Sequence, residues 1–127
     1  MKSIKFLDID DVLKIYKIVI NEFGGRFGIR DLKLLEAAVY QPQVAAQYID
    51  NDIFEIAAIY MFHIIKNHPF VDGNKRTALI TTITFLELNN LIANYENDSL
   101  YKLTIGVADS SINKNDIANF FKSINQK

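Results

Sequence analysis

At 127 residues, half of them apolar, the chain has the length and core-forming content of one compact domain, 1–127, which excludes a disordered or fibrous protein. A net charge of −1 offers no basic excess for binding nucleic acid directly or an anionic membrane, so any cationic site must be local. With no cysteine there is no disulfide framework, thiolate zinc site or cysteine nucleophile, and a reducing cytoplasm is the expected location.

The N-terminal MKSIKFLDIDDV has no apolar secretory segment, and the densest apolar run, Ile53 to Ile65, is shorter than a bilayer span and contains Glu55 and His63, so a soluble protein is expected. Ile9 to Phe23 carries Val12, Leu13, Ile15, Tyr16, Val19 and Ile20 at helical spacing, with Lys14 and Lys17 on a solvated face. Three glycines in Gly24-Gly25-Arg26-Phe27-Gly28 then predict a loop, with a hairpin or a flap for a target segment as its functional form. A second helix follows over Asp31 to Tyr40, and Pro42 is expected to stop it.

Asp52 to Lys66 is apolar nearly all round, the mark of a buried helix, and Lys75 to Leu88 predicts another despite its threonines. Two further helices are expected over Ser99 to Ala108, opened by Asp98 or Ser99, and Asn115 to Ile124, opened by an asparagine or aspartate. A short extended piece around Leu91 to Tyr95 fits before the first of these two. The class is all-α, a compact bundle of about six helices with a loop between the two most buried ones.

That loop reads HPFVDGNKRT, His68 to Thr77, and rigid elements on both sides make it the place to look for chemistry. Pro69 biases His68 out of helical geometry, so the preceding helix should end near Asn67 and present the imidazole. Phe70, the one phenyl ring of the loop, is expected to plug into the core and anchor the loop. Gly73 lets a ligand approach the backbone, and Asn74 is a favoured N-cap, which places the next helix start at Lys75. The unpaired N–H groups of that first turn attract an anion, and Lys75 and Arg76 add positive charge where the helix dipole alone prefers negative, a conflict that a bound phosphate resolves. Asp72 beside them suits Mg²⁺ held mainly through phosphate oxygens and water. Each feature alone has an ordinary structural explanation, as cap, turn or solvated face. Their coincidence within nine residues, in a chain with two histidines, is what points to a site. His63, on the buried helix, reads as a hydrogen-bonded core histidine. No Walker A or G-x-G-x-x-G pattern is present, so a nucleotide site here is of another kind.

The loop resembles the active-site motif of the Fic/Doc family, H-x-F-x-[DE]-[GA]-N-[GK]-R, with every fixed position filled. GGRFGIRDLKLLEAAVYQP resembles the loop and second helix before the motif in the death-on-curing (Doc) branch, so the likeness covers most of the chain. The resemblance implies a six-helix Fic fold and ATP as co-substrate. It implies His68 as general base, Asp72 as the Mg²⁺ ligand, and Gly73, Asn74, Lys75 and Arg76 around the phosphates, with Lys75 and Arg76 also stabilising the transferred group.

Most Fic enzymes transfer AMP and often carry glycine where this chain has Lys75, whereas Doc-type proteins carry lysine there and phosphorylate elongation factor Tu, arresting translation. Lys75 thus favours kinase chemistry. Gly73 departs from the alanine of the best-known Doc loop and leans towards AMP transfer, which stands as the alternative. A third reading is a catalytically idle binding or corepressor module, against which the intact His68, Asp72, Asn74 and Arg76 speak. The family's inhibitory pattern [ST]-x-x-x-E-[GN] is missing, since no glutamate follows a serine or threonine by four positions. The resemblance instead implies a Phd-like antitoxin whose disordered segment folds onto an apolar groove.

Overall fold

A computed structural model describes residues 3–48 and 52–126, which form six helices and two very short strands around one core. Helix α1 (Ile9–Phe23) opens on a reciprocal capping box in which the Asp8 carboxylate accepts the Asp11 N–H and the Asp11 carboxylate accepts the Asp8 N–H. It buries Val12, Tyr16 and Val19 and leaves Lys14 and Lys17 in solvent, as its spacing predicts.

Helix α2 (Leu32–Ala45) is capped by the Asp31 carboxylate and runs through Pro42, where a stop was expected. Proline cannot donate to the carbonyl one turn back, a penalty of about 3 kcal/mol in a helix interior. Here the ring is buried and the helix continues for only one turn, closing with the Ala46 N–H on the Pro42 carbonyl at 3.0 Å.

Helix α3 (Ile53–Asn67) is the axis of the fold, packed against α2, α4 (Asn74–Leu88), α5 (Asn97–Ala108) and α6 (Lys114–Ile124). Six consecutive residues, Ile56 to Met61, are buried, which only a helix surrounded on all sides can achieve. Its Tyr60 packs on Phe85 of α4 at 5.0 Å between ring centroids and exchanges hydrogen bonds with the main chain of Leu7, fastening the segment before α1. Burial pushes the Tyr60 phenol well above its ordinary pKa, so it stays a neutral donor.

The start of α5 departs from expectation. It begins at Asn97 behind Glu96, which makes no side-chain cap, while Asp98 lies inside the first turn and pairs with Lys102 at 3.2 Å. The expected extended piece is strand β1 (Ile92–Ala93), paired antiparallel with β2 (Asn125–Gln126). No hairpin forms in the glycine loop. Ile29 at its end bridges to Phe70, so the loop lies against the junction between α3 and α4. No helix among the described residues is long and apolar enough to cross a membrane.

Candidate active site

Helix α3 ends at Asn67, and His68 takes a left-handed conformation, φ 50° and ψ 55°. The following proline disfavours the right-handed helix at this position, and a left-handed residue is the usual way to end a helix. For a residue with a Cβ this conformation costs roughly 1–2 kcal/mol, so neighbours must hold it. The His68 and Asn67 carbonyls both accept from the Arg30 side chain, and the Asn67 amide donates to the Leu34 carbonyl at 3.0 Å, tying the end of α3 to α2. The imidazole itself is exposed.

Phe70 anchors the loop as expected. It is fully buried and stacks on Tyr16 of α1 with centroids 3.8 Å apart and planes 12° from parallel. Phe27 stacks on Tyr16 at 5.2 Å. The Tyr16 hydroxyl accepts the Gly28 N–H at 2.8 Å and donates to the Gly28 carbonyl at 3.1 Å. One tyrosine thereby joins α1, the glycine loop and the motif.

Asn74 does not cap α4, contrary to expectation. It is the first residue of the helix, behind Gly73, and no side chain caps this end. The Asn74 side chain is 5% exposed and turns inward, its oxygen accepting the Phe70 N–H and its nitrogen donating to the Phe70 carbonyl, each at 2.9 Å. Those two bonds orient the amide, so the nitrogen also faces His68 Nδ1 at 3.2 Å. As donor in that contact it favours the tautomer with the proton on Nε2. With its side chain so engaged, Asn74 offers an anion its backbone N–H.

The start of α4 is open. Thr77 is the first residue whose N–H bonds back, to the Gly73 carbonyl at 2.9 Å, so the N–H groups of Asn74, Lys75 and Arg76 have no partner within the helix. Lys75 and Arg76 are exposed beside them, and the Arg76 guanidinium lies 4.0 Å above the Phe23 ring. The backbone here favours glycine. Its φ is +82°, and a Cβ would sit 3.1 Å from Ile20 Cδ1 and 3.4 Å from Val19 Cγ1, against the flank of α1.

Asp72 is exposed, and its Oδ2 accepts the Arg26 N–H at 2.7 Å, which leaves Oδ1 without a partner among the described residues. No cluster of three metal-ligating side chains occurs among those residues. A single free carboxylate oxygen beside an anion cradle fits Mg²⁺ carried largely by phosphate oxygens and water. The glycine loop is therefore clasped to the motif through Arg26 to Asp72 and Val71 to Gly28, and to α1 through Gly28 to Tyr16.

The structure thus gathers His68, Asp72, Gly73, Asn74, Lys75 and Arg76 into one turn. Two contributors escaped the sequence reading. Tyr16 was indistinguishable from any other member of the α1 stripe, and Arg30 lay outside the motif with no spacing signal. His63 proves half-buried, with its ring edge-on to Phe62 at 5.4 Å. Partial burial, with nearby Lys114, lowers its pKa.

Comparison with known proteins supplies the context for this turn. The model of the Fic/DOC family matches residues 6–86. Toxin Doc of Mycolicibacterium smegmatis is 36% identical over 118 residues, covering 90% of this chain and 88% of that protein. Protein kinase doc of Escherichia phage P1 is 28% identical over 116 residues, covering 91% of each. The family match spans α1 to α4, the helices that build and carry the turn, and the two relatives extend the likeness to nearly the whole length: the chain belongs to the Fic/Doc family.

Proposed function

We propose that this protein is a Doc-type toxin acting as a protein kinase, transferring the γ-phosphate of ATP to a hydroxyl of a translation factor, with elongation factor Tu as the expected target. One observation carries the reading: an exposed histidine and an uncapped, cation-bearing helix start are held across one rigid turn by Asn74. The names of the two relatives, a toxin and a protein kinase, support it.

In this mechanism the N–H groups at the start of α4, with Lys75 and Arg76, hold the phosphates and offset the charge that builds up on the transferred group. Lys75 is a mobile point charge suited to that task. Mg²⁺ held by Asp72 supplies further charge neutralisation when bound. The target hydroxyl oxygen forms a bond to the γ-phosphorus, the bond from that phosphorus to the β–γ bridging oxygen breaks, ADP leaves, and His68 takes the hydroxyl proton at Nε2. Accepting there requires the tautomer with its proton on Nδ1, so the 3.2 Å contact with Asn74 is given up as the base engages. The ring is exposed, and water can carry the proton between its nitrogens.

AMP transfer is the second reading, and Gly73 was its main support. The left-handed backbone and the closeness of Ile20 and Val19 account for glycine at this position without reference to chemistry, which weakens that support. Inhibition by a separate Phd-like antitoxin remains part of the proposal, because no glutamate of this chain carries the inhibitory pattern.

The test incubates the protein with elongation factor Tu or cell extract and ATP labelled at either the α or the γ phosphorus. Label from γ on the target establishes the kinase, label from α establishes AMP transfer, and no label beside an active control sinks both for those substrates.

A further inference from the structure

Three successive carbonyls at the end of α3 are taken by one neighbouring dipeptide. Arg30 Nε donates to the His68 carbonyl at 2.6 Å and an Arg30 terminal nitrogen to the Asn67 carbonyl at 2.8 Å. The main-chain N–H groups of Arg30 and Asp31 both donate to the Pro69 carbonyl, at 2.7 and 3.1 Å. The last carbonyls of a helix have no partner inside it and carry the negative end of its dipole, so a cation is favoured there. A planar guanidinium presents two donors at a fixed spacing to two adjacent acceptors, which a single ammonium cannot. The basic residue in the last turn of α3, Lys66, is directed to the Ser110 hydroxyl instead.

His68 depends on such a grip. Its left-handed backbone is unfavourable for a residue with a Cβ, and its exposed ring has one 3.2 Å contact with Asn74, which proton acceptance at Nε2 gives up. Fixing the His68 carbonyl and its neighbours on both sides fixes the ψ of His68, and with it the direction of the Cα–Cβ bond. The aim of the imidazole then survives loss of the Asn74 contact.

We propose that Arg30 is the positioning residue of this active site, holding the main chain of His68 so that Nε2 stays directed at the incoming hydroxyl. The inference rests on His68 serving as the base for transfer. Arg30 touches neither phosphate nor hydroxyl in this scheme, so its removal should reduce kcat and spare the KM for ATP.

The experiment compares wild type, Arg30→Ala and Arg30→Lys in the labelled-ATP assay and by NMR of the imidazoles. The chain has two histidines, and His68→Ala assigns their signals. Arg30→Ala is expected to shift or split the His68 signal and leave that of His63 in place. It should lower kcat roughly 10- to 100-fold, the range a displacement of about 1 Å produces, with less than about a twofold change in KM for ATP. Arg30 is exposed, so added guanidinium ion should restore part of the rate, and Arg30→Lys should fall between. An unchanged kcat, or a loss that follows thermal unfolding and that guanidinium does not relieve, overturns the proposal. Should wild type itself transfer nothing, the kinase reading fails separately, and the His68 signal alone decides: unmoved in Arg30→Ala, it refutes the grip.

Discussion

At the start of α6 the Asn113 side chain accepts the Asp116 N–H at 2.9 Å and the Asp116 carboxylate takes the Asn113 N–H in return, whereas at the start of α4 the cap position is a glycine. Helix α6 has an acidic residue in its first turn. Helix α4 has none there and carries Lys75 and Arg76 instead. One helix thus neutralises its own N-terminal partial charge, and the other leaves it unmet and adds to it. Helix α6 ends its hydrogen-bond ladder within the chain; α4 keeps three N–H groups for something the described residues do not supply.

The largest effect expected at this contrast belongs to His68, which stands across the turn from the open helix start. His68→Ala should cut transfer about 10²- to 10⁴-fold, the usual contribution of a general base, while circular dichroism and melting temperature stay near wild type. A melting temperature that collapses with the activity would make His68 structural.

Gly73→Ala tests whether the open start is enforced by the backbone. A Cβ at φ +82° against Ile20 should cost about 1–2 kcal/mol in denaturant unfolding, with lower affinity for ATP. Unchanged stability would mean that the turn reshapes freely. At the closed start, Asn113→Ala should cost about 1 kcal/mol and leave transfer untouched. A loss of transfer there would break the separation between the two helix starts.

Lys75→Glu should have opposite effects on stability and binding. A negative charge at an exposed helix N-terminus stabilises by about 0.3–1 kcal/mol, so the unliganded protein should melt slightly higher, while calorimetry shows weaker ATP binding. A lower melting point without ligand would remove the charge argument for the site.

The smallest effect concerns Lys114, the first residue of α6. His63 is held below its ordinary pKa of 6.5, first by burial and then by Lys114. The folded chain therefore binds that proton less tightly than the unfolded chain, so stability from this group is complete above 6.5. It is lost as pH falls below that value towards the lower folded pKa. Lys114→Gln should make the loss between about pH 7 and pH 5 slightly shallower in thermal melts, and a steeper loss would reverse the assigned sign.

What could be read in advance follows from how local the cause is. The bounds of α1 and the start of α6 were legible because a capping residue and an apolar stripe lie in the same short window. Pro42 misled because its burial, which accompanies the missing N–H, belongs to the folded core and not to the local sequence. Asn74 misled for a related reason. Its preference for a cap is a property of the side chain alone, and its competing partners on Phe70 exist only once the loop has folded. The motif residues were visible as a cluster of chemistries. Arg30 and Tyr16 were not, since their contribution is a contact across 38 residues in one case and 54 in the other.

The Tyr16 stack has a consequence for how activity arises. HPFVDGNKRT is one uninterrupted stretch, yet its shape depends on a ring from α1 lying against Phe70 and on that same residue's hydroxyl gripping Gly28. A chain in which α1 has not docked carries every motif residue without the turn that arranges them. Competence for chemistry therefore depends on a docked α1 and not on the presence of the motif alone.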